Sequence, residues 1–155
     1  MRKIIKAVLS AALYILILVV IPNIGLQYLF QLVPAGSPPR MLIDKINLQG
    51  FVVSISIVGV VLAILSFSAN MVEDWSPIKL VSSIASAVVG FYLFLLFIGL
   101  GDPSRMGLTQ LSIEVATIVL DFRFFIILEL LLLGISTMRA SVKFYFARKE
   151  HLVGR

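Results

Sequence analysis

Charged residues are nearly absent from four long stretches of this chain, and short polar clusters separate them. After Arg2, Lys3 and Lys6, an uncharged run extends from Ala7 to Val33. A second covers Leu48 to Val72, and a third covers Pro77 to Gly101 with Lys79 as its one charge. The fourth, Ile113 to Met138, contains Glu114, Asp121, Arg123 and Glu129. About 20 apolar residues in a helix cross the hydrocarbon core of a bilayer. The pattern predicts an all-α, polytopic membrane protein with a single membrane domain over residues 1–155. Its expected form is an antiparallel bundle of four transmembrane helices at about 7–33, 48–72, 77–101 and 113–138, with a basic tail over 139–155.

Local signals sharpen these boundaries. The basic start and apolar run also describe a signal peptide, but the run far exceeds its usual apolar core of about 7–15 residues. Pro22 is expected to kink the first helix, because proline has no N–H for the preceding turn. Beyond it, Asn23, Gln27 and Gln31 recur every four residues and form one polar stripe. Residues 34–47 hold Pro34, Gly36, Pro38 and Pro39 and read as the longest loop, with Met41, Leu42 and Ile43 near the headgroups. Glu73, Asp74, Trp75 and Ser76 make a tight turn, so the second and third helices are antiparallel neighbours. Ser76-Pro77 suits a helix start, and Trp75 suits the interfacial belt. Asp102-Pro103-Ser104-Arg105 makes the next turn.

Composition narrows the class. Hydrophobic residues make up 60% of the chain and charged ones 14%, well outside the range of soluble domains. The net charge is +5, but most of it flanks the apolar blocks, where it sets topology and meets lipid. No basic stretch is interleaved with aromatics, so no nucleic-acid partner is expected. The two tails and the Trp75 turn hold nine Lys and Arg, against three in the other two loops. The positive-inside bias therefore places both termini in the cytoplasm and the proline-rich loop outside. There are no cysteines, which removes thiol chemistry and cysteine-type metal sites.

In lipid, small residues that let backbones approach hold helices together. Ser82, Ser86 and Gly90 form one such stripe on the third helix, with Ser83 and Ala87 beside it. Gly59 and Ala63, flanked by Ser56 and Ser66, form another on the second. These stripes are expected to face each other across the tight turn, and Gly90→Leu is expected to disrupt the fold.

The fourth block carries the candidate functional residues. A charge at the bilayer centre costs about 2.5–3.5 kcal/mol on insertion scales and is usually retained for a reason. If Arg139 marks the inner boundary, Glu129 lies near the midplane, and Asp121 and Arg123 lie just inside the outer interface. In one regular helix Glu114, Asp121, Glu129 and Ser136 share a face, while Arg123 points nearly opposite to Asp121 and cannot pair with it. That face is expected to meet the bundle interior or a neighbouring subunit.

Catalytic motifs are missing. Gly99-Leu100-Gly101-Asp102 matches the GxGD string of intramembrane aspartyl proteases, but Pro103 follows at once and turns it into a polar turn. His151, the one histidine, sits in the basic tail and is expected to be solvated. No phosphate loop, zinc-protease motif or nucleophile elbow occurs. The sequence thus points to no enzyme, cofactor or metal. It suggests a small non-catalytic subunit of a larger assembly, in the cell membrane with several passes. Its expected partners are the bilayer, other membrane subunits or further copies of itself, and anionic lipid at the basic tail. The alternative is a homo-oligomeric ion or proton channel or transporter lined by the acidic stripe.

Overall fold

The computed structural model describes residues 2–34, 37, 47–113 and 116–153. Glu114 and most of the 34–47 loop, including Met41, Leu42 and Ile43, lie outside the described residues. Among the described residues, four helices are long and apolar enough to cross a membrane. The first span is α1 (Arg2–Ile15), a π turn (Leu16–Val20) and α2 (Ile21–Leu32) in succession. The second span is α3 (Leu48–Met71), the third α4 (Pro77–Ile98) and the fourth α5 (Arg123–Val153).

Pro22 acts one turn ahead of itself. Its ring crowds the carbonyl of Leu18, four residues back, and it has no N–H to offer that carbonyl. The backbone widens there instead of breaking. The Ile21 N–H donates to the Leu16 carbonyl, five residues back, and the helix resumes through Leu32.

The core lies among the first three spans. Leu18, Ile55, Val58, Leu62 and Leu96 form a buried cluster, with Phe51, Val89 and Leu93 packed against it. Phe51 meets Phe97 edge to face at 5.6 Å between centroids. The main contacts run in chain order, first span on second, second on third, third on fourth. The fourth span lies outside the core and has no buried residue.

The small-residue stripes meet different neighbours from those expected. A Cβ on Gly59 would come within 2.6 Å of the Leu18 Cβ, so Gly59 is where the first span approaches the second. Gly90 has nothing within 4 Å of a Cβ position, and so mediates no close approach. Ser86 spends its hydroxyl locally, donating to the Ser82 carbonyl at 2.8 Å. Ser82 and Ala63 are buried.

The fourth helix does not begin near Ile113. Strands β1 (Leu108–Ile113) and β2 (Ala116–Asp121) pair antiparallel, Leu108 opposite Asp121 and Ile113 opposite Ala116. Among the described residues, an otherwise helical fold therefore carries one hairpin. Thr109, Ile113, Thr117, Ile118 and Val119 are β-branched, which restricts them in a helix and suits a pleated strand. Gly107 opens the hairpin with a left-handed φ of +78°, and its carbonyl accepts from the Phe122 N–H at 2.7 Å as the chain returns. Nor does the helix stop at Met138: Arg139, Ala140, Lys143, Ala147, Arg148 and Glu150 are good helix formers, and α5 continues to Val153.

Gly59→Leu is expected to force the first two spans apart and lower stability by about 1–3 kcal/mol, the usual range for overpacking. Gly90→Leu, contrary to its reading from sequence, is expected to stay within about 0.5 kcal/mol of the parent. Thermal denaturation of both variants in mild detergent checks this.

Candidate functional site

Polar residues of the first two spans consume one another. Asn23 Nδ2 donates to Ser56 Oγ at 2.9 Å and to the Val19 carbonyl at 2.7 Å. Ser56 in turn donates to the Val52 carbonyl. Nearer the Trp75 turn, Ser10 Oγ accepts from Ser66 Oγ and from Asn70 Nδ2, each at 3.0 Å. These bonds cross between spans, and no buried side-chain polar atom among the described residues lacks a partner. Asn23 is thus a tie between helices, with its donors occupied. Gln27 and Gln31 are exposed and do not join it. Ser10 and Asn70 escaped the sequence reading, although one serine and one asparagine in apolar runs were the available signal.

A second cluster gathers at one end of the molecule. Lys3 pairs with Glu73, and Lys79 pairs with Asp74. The Lys79 ammonium, by hydrogen bond and by charge, holds the Asp74 carboxyl below the ordinary carboxylate range. His151 is half-buried and stacks on Trp75, with rings 4.2 Å apart and 7° from parallel. The expectation of a solvated histidine is therefore corrected. These contacts bring the start of the first span, the Trp75 turn and the end of the fourth span to the same side.

Asp121 and Arg123 do meet, because the helix begins between them. Asp121 Oδ1 accepts from the Arg123 N–H at 3.0 Å and lies 3.8 Å from Arg123 Nε. A carboxylate there also complements the positive end of the helix dipole. With Asp121 on a strand and Glu114 outside the described residues, the expected acidic stripe of one helix is absent, and only Glu129 and Ser136 remain on α5.

Depth along α5 also changes. His151 is level with Trp75, and Glu129 lies twenty-two residues earlier, about 33 Å along a helix axis. The third span, α4, is itself 22 residues long. Glu129 is thus level with the far end of α4, well away from its middle. Arg139 is twelve residues before His151, about 18 Å up, level with the middle of the third span. Neither Arg139 nor Glu129 has a hydrogen bond or ion pair among the described residues. Arg139 marked a boundary in the sequence because a basic residue after an apolar run usually does; the helix continues past it.

Compared with known proteins, the chain matches no family model, no curated protein and no solved structure.

Asp102 accepts from the Ser104 N–H at 3.0 Å and from its hydroxyl, bonds that hold its carboxyl below the ordinary range. It caps the short turn Pro103–Arg105. No group of three His, Asp or Glu among the described residues could hold a metal ion.

The Asp74 carboxyl is lowered on folding, so its pairing stabilises the protein above the unfolded value near 3.8 and is lost as pH falls through the folded value. The Asp74 side chain is 75% exposed and that of Lys79 34%, so solvent screens the pair and limits the contribution to about 1 kcal/mol or less. Melting temperatures between pH 6 and pH 3 are expected to fall more for the parent than for Asp74→Asn.

Proposed function

We propose that this chain is a small, non-catalytic, multi-pass subunit of the cell membrane that packs into and stabilises a larger membrane assembly. The observation that carries the reading is the fourth span, which has no buried residue and holds Arg139 and Glu129 without partners among the described residues. An arginine at the depth of the middle of a span is costly unless it is matched. The inter-span polar ties, Asn23 with Ser56 and Ser10 with Ser66 and Asn70, engage one another and offer no acceptor to Arg139. The match then comes from outside the chain, from another membrane subunit or a further copy.

Orientation rests on charge. Lys3, Lys6, Lys79, Lys143, Arg148 and Lys149 fall toward the Trp75 end, which the positive-inside bias assigns to the cytoplasm together with both termini. That basic end also suits contact with anionic lipid. The channel or transporter alternative keeps Glu129 on α5 but not Asp121, which belongs to the hairpin.

The test is the mass and composition of the intact particle after gentle extraction from its native membrane. A stoichiometric set of other polypeptides is expected. A particle of this chain alone, in fixed copy number, overturns the reading; vesicle ion flux of the parent and Glu129→Gln then tests the channel.

A further inference from the structure

We propose that the cleft between the third and fourth spans at the Trp75 end binds one aminophospholipid, its phosphate on Lys143 and its ammonium on Glu150. The cleft has a volume of about 450 Å³. One wall is the first turns of α4, with Lys79, Leu80 and Ser83; the other is α5 from Ala140 to Glu150. Val142, Phe144 and Phe146 make most of it apolar.

Lys143 sets the chemistry. It lies eight residues before His151, about 12 Å above the Trp75 level, beside Ser83. A lysine rooted at that depth carries its ammonium along the cleft toward the interface. Lys79 cannot serve as the primary anion contact, because Asp74 already holds it. Lys143 has no hydrogen bond or ion pair among the described residues; it acts on the Asp74 carboxylate only by charge at a distance, behind Lys79, so its donors are available. Glu150 stands two helical turns farther on, on the same face of α5, and is likewise unpaired among the described residues.

Charge selects the headgroup. The lining holds Lys79 and Lys143 against Asp74 and Glu150, so it has no net charge. Such a lining favours a zwitterionic headgroup over an anionic one. The apolar wall takes the first part of an acyl chain, which a soluble phosphate does not have. The neighbouring groove of Arg148 and Lys149 has no acid in its lining and is the natural control.

The proposal rests on the membrane placement above and is independent of the assembly. Release of the chain from membranes by alkali overturns the placement; the lipid measurements below judge the site. The full chain is reconstituted in vesicles of phosphatidylethanolamine and phosphatidylglycerol in equal amounts, re-extracted, and its retained lipid counted by native mass spectrometry. One phosphatidylethanolamine per chain is expected. Lys143→Ala is expected to lower occupancy about tenfold or more, as for loss of a charge-assisted hydrogen bond. Lys143→Arg is expected to retain it, and Glu150→Gln to lose the preference for the amine headgroup. Arg148→Ala is expected to behave as the parent. Fluorescence of Trp75, the one tryptophan, verifies that each variant keeps its fold. No retained lipid, equal retention of both lipids by the parent, or equal losses in Lys143→Ala and Arg148→Ala overturns the site.

Discussion

Lipid tails are as apolar as leucine, so burying leucine against leucine contributes little to helix association in a bilayer. What remains is close backbone approach and hydrogen bonds between helices. In this chain both occur on one seam. Gly59 lets the Leu18 turn come close, Asn23 reaches Ser56 on one side of it, and Ser66 and Asn70 reach Ser10 on the other. The π turn belongs to the same seam, because Pro22 widens the helix at Leu16–Val20, where Gly59 receives it. The apolar cluster of Ile55, Val58, Leu62 and Leu96 then brings the third span onto this pair.

The fourth span is held differently. At one end the buried Gly107 sits 3.0 Å, at its Cβ position, from Ile126 Cδ1; at the other His151 lies on Trp75. Between these anchors α5 leans on the third span and presents the rest of its surface outward. Arg139 and Glu129 stand on that helix, at depths set by the anchors. A span fixed at its ends and open along its length is suited to receive another membrane component, and this links the packing to the assembly reading. The cleft at the Trp75 end belongs to the same arrangement, since it opens between the two helices with Lys143 and Lys79 in its lining.

Much of this was legible in the chain and some was not. The apolar runs exceed what a bilayer needs, so the existence of the spans could be read directly; Ser76-Pro77 placed the start of α4 correctly. Pro22 announced an irregularity, although its form as a π turn depended on how the backbone relaxed. The hairpin was hidden because its second strand, Ala116–Asp121, is short, mostly apolar and runs into an apolar helix, and short apolar runs do not separate strand from helix by period alone. Residue spacing revealed which small residues share a face. It left open which neighbour that face meets, and Gly59 turned to the first span while Gly90 met nothing. The level of Glu129 against α4 was hidden for a related reason: the sequence offers Arg139 as the reference, and the contact that sets the level is Trp75 with His151, far apart in sequence.

The central claim is that another protein covers the outward face of the fourth span. The direct measurement is photocrosslinking in native membranes from a short reactive side chain placed at Leu131, which is 61% exposed on that helix. The account predicts a discrete adduct with another polypeptide in stoichiometric yield; an adduct with a second copy of this chain alone would contradict it. Adducts with lipid alone would contradict it and leave the fourth span facing the bilayer.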